Sequence, residues 1–140
     1  MEALERSTTR PRVLIADDHQ TIVELLRSLL GNRCEVVGAV EDGRQLLVEA
    51  PKLNPDVIVL DISMPRLDGF NAARQLRSLL PDAKFVFLTM HNDSSLVDAA
   101  FAQGAVGFVL KSAAARELLP AIFDVLEGKA YVSSRLRTKT

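Results

Sequence analysis

The chain has 140 residues, 48% hydrophobic and 25% charged, with a formal net charge of -1. That length supports one buried core without disulfides or structural metal. Near-neutral charge gives no general attraction to nucleic acid or an anionic membrane, and no apolar run is long enough to span a bilayer.

The elements alternate along the chain. Residues 1–10 are polar, read as a tail and make no signal peptide. Val13-Leu14-Ile15-Ala16 is a short apolar strand ending at two acids. Ile22, Leu25, Leu26, Leu29 and Leu30 then recur at helical spacing, and Gly31-Asn32 ends that helix. Cys34 begins the next apolar run, Val36 to Val40. As the single cysteine it excludes an intramolecular disulfide and reads as a buried structural thiol. A weaker helix follows from Gly43 to Glu49, expected to stop before Pro51. Val57 to Leu60 is a third strand without polar interruption, as in strands covered on both faces. A helix over about Phe70 to Leu80, a strand over Phe85 to Leu88, a short helix over Leu96 to Gln103 and a strand over Phe108 to Leu110 complete the alternation. Leu118, Leu119, Ile122, Phe123 and Leu126 mark a terminal helix that Pro120 should kink. Residues 131–140 read as a tail or the start of a linker, leaving one domain over 11–130. The lack of a leader and of a membrane span leads us to expect a cytoplasmic protein.

Five strands alternating with five helices predict an α/β fold, a parallel sheet between two helical layers. Ligands of such sheets bind beyond the carboxyl ends of the strands. There the first strand presents Asp17-Asp18, the third Asp61, the fourth Thr89 and the fifth Lys111, while Glu41-Asp42 ends the second. Clustered carboxylates repel and favour either proton uptake or a hard cation. Magnesium, with manganese as the alternative, accepts a few carboxylates together with phosphate oxygens. A cation and Lys111 would shield Asp61 from an incoming phosphoryl group, Thr89 would donate a hydroxyl, and an ionised aspartate attacks without a general base. Taken singly, Asp17-Asp18 before a helix reads as an N-cap and Asp61 as a turn residue. The joint placement is what carries the chemical reading.

The stretches VLIADDH at 13–19, DVIVLDISMPRLDGF at 56–70, VFLTMHND at 86–93 and GAVGFVLKSAA at 104–114 resemble response-regulator receiver domains over nearly the whole chain. The resemblance implies a flavodoxin-like (βα)5 fold with strand order 2-1-3-4-5. By the same resemblance Asp61 is the phosphoacceptor for a sensor histidine kinase. Asp18, Asp61 and the backbone carbonyl of Ser63 hold magnesium, with Asp17 acting mainly through water. It further implies that Lys111 pairs with phosphoryl oxygens, that Thr89 and Phe108 form the switch, and that Ser63, Met90 and His91 tune phosphoryl lifetime. His19 begins the first helix and is no phosphocarrier.

LTMHND, KSAAARELLPAI and GKAYVSS further resemble the NarL/FixJ group, whose members usually carry a helix-turn-helix. Dimerisation is expected through the fourth helix, fifth strand and fifth helix, or through the first and fifth helices. The domain assists only its own phosphoryl transfer and slow dephosphorylation, so it is not classed as an enzyme. No DNA or membrane binding is expected of these residues, apart from a weak basic background from Arg135, Arg137 and Lys139. Ser112 stands where many receivers have proline.

Three rival readings are weaker. A haloacid dehalogenase-like phosphatase places its nucleophile at the end of the first strand in an Asp-x-Asp pattern, which Asp17-Asp18 is not. A flavodoxin-like cofactor module needs a phosphate-binding loop after the first strand, where these acids repel phosphate. A degenerate receiver would not keep the full set of acids, Thr89 and Lys111.

Overall fold

The computed structural model describes residues 10–90, 94–102 and 106–133. His91 and the basic residues 135, 137 and 139 lie outside them. The elements are β1 (Arg12–Ala16), α1 (Gln20–Leu30), β2 (Glu35–Val40), α2 (Gly43–Leu53), β3 (Val57–Asp61), α3 (Gly69–Leu79), β4 (Lys84–Thr89), α4 (Ser94–Phe101), β5 (Gly107–Leu110), a 3-10 turn (Lys111–Ala113), α5 (Ala114–Leu126) and β6 (Tyr131–Val132). The strands form one parallel sheet in the order β2-β1-β3-β4-β5-β6.

Strand periodicity sorts the apolar residues into two cores. On one face, Val13, Ile15, Val57, Val59, Val86, Leu88 and Val109 meet Val23, Leu26 and Leu30 of α1 and Leu118, Ala121, Ile122 and Val125 of α5. On the other face, Leu14, Ile58, Leu60, Phe85, Phe87 and Phe108 meet Leu46 and Ala50 of α2, Ala72, Ala73 and Leu76 of α3, and Val97 and Ala100 of α4. Cys34 is buried in the first core, where desolvation pushes its thiol pKa up against the charges of Arg33 and Arg10. That environment fits a structural thiol. The Arg33 guanidinium also lies 5.3 Å from the Phe123 ring centroid, joining the end of α1 to α5.

The sheet differs from expectation at its far edge. A sixth strand occupies residues expected to be tail: Tyr131 and Val132 pair in parallel with Gly107 and Phe108. The Tyr131 N–H donates to the Val106 carbonyl at 3.1 Å and the Ser133 N–H to the Phe108 carbonyl at 2.8 Å. Tyr131 packs against one core and Val132 against the other. Two residues are too few to show a period, so the sequence hides this strand.

Two prolines sit inside helices. α2 continues past Glu49 and through Pro51 to Leu53. Leu53 packs against the core beyond the proline, and Asn54, at φ 49°, closes the helix by donating its N–H to the Ala50 carbonyl at 2.8 Å. α5 runs unbroken through Pro120, which lies on its exposed face together with Arg116 one turn earlier.

Candidate functional site

The order places the topological switch between β1 and β3. β1 runs out into Asp17-Asp18 and β3 ends on Asp61, so these acids straddle that crevice. Thr89 ends β4 and Lys111 follows β5, with Thr89 in register with Leu110 and Asp61 in register with Leu88. The residues predicted from strand ends are thus brought to one rim. Glu41-Asp42 lies at the end of edge strand β2, and Asp42 serves α2 as its cap, accepting from the Gln45 N–H at 2.8 Å.

Capping separates the acids by role. Asp42 and Asp68 cap α2 and α3 with their carboxylates. At α1 the N-cap is His19, and no side chain caps it. Asp17 is buried and Asp18 exposed; neither is the N-cap residue, although Asp17 Oδ1 accepts the backbone N–H of His19 at 2.9 Å.

Lys111 organises the buried charge. Its Nζ lies 2.9 Å from Asp17 Oδ2 and donates to Asp61 Oδ2 at 3.0 Å. Asp61 Oδ1 accepts from the Ser63 N–H at 3.1 Å. Burial pushes the Asp61 carboxyl above its ordinary range, against the lowering effect of Lys111 and the Ser63 N–H. Burial alone would lower the Lys111 ammonium, but its attraction to Asp17 and Asp61 outweighs this and holds it above the ordinary lysine value.

Among the described residues Asp17 Oδ2 meets only the Lys111 ammonium, at 2.9 Å, so this buried carboxylate oxygen retains coordinating capacity. Ligand atoms of Asp17, Asp18, His19 and Asp61 all lie within 4.8 Å of one another. An oxygen-rich set with an undersatisfied buried member fits a hard divalent cation.

His19 is the site residue that sequence reasoning missed. Its Nδ1 lies 3.0 Å from Asp17 Oδ1 and 3.3 Å from Asp18 Oδ1, and its N–H donates to Asp17 Oδ1 at 2.9 Å. Its adjacency to the two acids was the available signal, but a residue beginning a helix reads as local structure.

Close backbone approach builds the β3–α3 loop. A Cβ on Gly69 would stand 2.5 Å from the Asp61 carbonyl oxygen, and one on Gly43 only 2.1 Å from that of Leu67. Arg66 sits at φ 70° within a γ-turn closed by the Leu67 N–H on the Pro65 carbonyl at 2.7 Å. That conformation is strained for a non-glycine residue. The Arg66 guanidinium reaches Asp42 Oδ2 at 3.5 Å.

The remaining predicted residues divide by burial. Thr89 is buried, the Ser63 side chain is exposed, and Met90 is 72% exposed. Phe108 is fully buried, its ring centroid 6.2 Å from that of Phe87, which in turn meets Phe70 edge-on at 4.8 Å. The Lys111–Ser112 peptide is trans.

An open parallel sheet with acids astride its switch point and a lysine bridging two of them defines an α/β domain with a charged rim at its ligand-binding end. Residues 13–123 match the response regulator receiver domain family, to which this chain belongs. The transcriptional regulatory protein DegU of Brevibacillus brevis is 37% identical over 127 residues, covering 89% of this chain and 54% of DegU. The isolated REC domain of RcsB from Salmonella enterica serovar Typhimurium, in the presence of phosphomimetic BeF3-, superposes with a TM-score of 0.84. It is 29% identical and covers 93% of this chain and 98% of that one. The receiver domain of the response regulator NarL from Mycobacterium tuberculosis gives 0.78 at 35% identity, covering 86% and 99%. The chain spans about half the length of the curated relatives it matches. It is a receiver domain of the two-component response regulators, and the phosphatase and degenerate-receiver readings are not favoured.

Proposed function

We propose that Asp61 accepts a phosphoryl group from the phosphohistidine of a sensor kinase. An Asp61 carboxylate oxygen attacks phosphorus in line, the phosphorus–nitrogen bond breaks, and the histidine leaves with that electron pair and takes up a proton. The observation carrying this reading is the buried Asp61 carboxylate, held by Lys111 beside Asp17 and Asp18. Asp18, Asp61 and the Ser63 carbonyl would hold magnesium or manganese, with Asp17 acting through water. When bound, the cation supplies charge neutralisation for the transferring oxygens.

Lys111 trades part of its pairing with the acids for the phosphoryl oxygens, and Thr89 moves to donate to them. Phe108 is buried in this structure, and with Thr89 it forms the switch, which runs through the ends of β4 and β5. Ser63, Met90 and His91 tune how long the phosphoryl group survives.

The chain turns over no external substrate beyond its own dephosphorylation and acts in the cytoplasm; among the described residues no helix is long and apolar enough to cross a membrane. Its switched face, α4–β5–α5 or α1 with α5, controls dimerisation or a DNA-binding region of the longer regulator. These residues do not themselves read DNA. Incubation with acetyl phosphate and magnesium, followed by intact mass, is the test. We expect one added phosphoryl group, absent in Asp61→Asn and lost with chelator. Equal labelling of Asp61→Asn overturns the assignment.

A further inference from the structure

The C-terminal segment contains a buried polar junction that phosphoryl acceptance does not use. Ser133 is fully buried and Glu117 of α5 nearly so. The Leu110 N–H donates to Ser133 Oγ at 2.9 Å, and that hydroxyl donates to Glu117 Oε1. With the Ser133 N–H on the Phe108 carbonyl at 2.8 Å, one residue pins both ends of the Phe108–Leu110 tripeptide. The strand ladder ends at Val132, and the hydroxyl adds one more rung where β5 would otherwise expose a donor.

The residue after Leu110 is Lys111, whose ammonium bridges Asp17 and Asp61. A pair that fixes the peptide just before Lys111 also fixes where the lysine side chain starts. Glu117 anchors the junction from α5.

We propose that Ser133 and Glu117 are positioning residues for Lys111, forming a latch through which the phosphoryl site and the β6 edge of the sheet bias one another. This rests on Asp61 being the phosphoacceptor. The latch has a closed state, with Leu110 N–H held by Ser133 Oγ, and an open state, with that N–H released. If a phosphoryl mimic prefers the closed state, reciprocity requires that the mimic close the latch by the same factor by which closure favours the mimic. One hydrogen bond within a charged junction sets that factor on the order of five- to tenfold.

The experiment compares the full chain with Ser133→Ala, Glu117→Leu and Glu117→Gln, using beryllofluoride with magnesium as the probe. Ser133→Ala and Glu117→Leu should weaken beryllofluoride by that factor, whereas Glu117→Gln, whose amide oxygen still accepts from Ser133, should retain most of the affinity. In wild type, beryllofluoride should slow exchange of the Leu110 amide by the factor that Ser133→Ala loses in affinity. This arm needs no variant to fold. Unchanged affinity in a folded Ser133→Ala, or Leu110 exchange indifferent to beryllofluoride, overturns the latch. If wild type binds no beryllofluoride, the phosphoacceptor reading fails instead. The Lys111 Nζ resonance of the metal-free chain then decides positioning alone: it must shift in Ser133→Ala, and an unmoved resonance overturns the proposal.

Discussion

Lys111 is the residue on which the buried charges depend. Its side chain and those of Asp17 and Asp61 are each 5% exposed or less, so the three share a poorly solvated space. Removing the one cation leaves two carboxylates uncompensated, which costs far more than losing an exposed ion pair. Lys111→Met, of similar length, should destabilise the metal-free chain by about 3 kcal/mol. Adding Asp61→Asn to it should recover much of that loss. Urea denaturation with chelator measures both, and a double variant no better than the single would show that the charges are not coupled.

The pH dependence follows from the same group. Because burial raises the Asp61 carboxyl above 3.8, the folded chain holds its proton more tightly than the unfolded chain does. The associated stability is fully present below the ordinary value and lost as pH rises through the raised one. Asn at this position mimics the protonated form at every pH. Asp61→Asn should therefore gain stability relative to wild type as pH rises above the ordinary carboxyl value of 3.8. Thermal melts in chelator report it, and a flat difference would contradict the direction. Lys111, also raised, contributes stability that is present below 10.5 and lost only on the alkaline side.

Among the elements, the start of α3 is the most tightly constrained. Gly69 lets the helix begin directly against the backbone of Asp61, and Gly43 lets α2 begin against the β3–α3 loop. In both places an added methyl meets backbone atoms that cannot rotate away. Gly69→Ala should cost about 1–3 kcal/mol by overpacking and should also reduce magnesium-dependent stabilisation, since it moves Asp61. Gly128 has a φ of 85° but open space around its Cβ position, so Gly128→Ala should cost only about 1–2 kcal/mol of backbone strain and leave metal binding intact. Equal metal dependence in the two variants would remove Gly69 from the site's support.

These elements also show what a sequence can carry. Uninterrupted runs such as Val57–Leu60 reveal buried strands, and the polar residues at their ends reveal the rim, because the switch-point rule concerns order rather than coordinates. Asp17 and Asp18 could be read as caps from sequence alone; the pairing of Asp17 with Lys111 is what distinguishes its role. The link from His19 to both acids depends on a side-chain direction, and Ser133 joins Leu110 across 23 residues. Neither leaves a periodic trace. Helix α2 passed its proline because a contact beyond Pro51 outweighs local propensity, which patterning does not weigh.

For the molecule as a whole, the short sixth strand changes where the domain ends. β5 is buried along its entire length and carries Phe108, Val109 and Leu110, an apolar segment without a charge. Its outer edge is covered by Tyr131, Val132 and Ser133. A chain cut after Ala130 would leave that row of donors and acceptors open on a flat, apolar strand, the condition under which sheets recruit strands from other molecules. Such a chain should form concentration-dependent oligomers or aggregates, whereas one cut after Ser133 stays dispersed; light scattering of the two side by side would show it. Those few residues thus act as a guard against self-association, and a boundary drawn from hydrophobic periodicity falls just short of them.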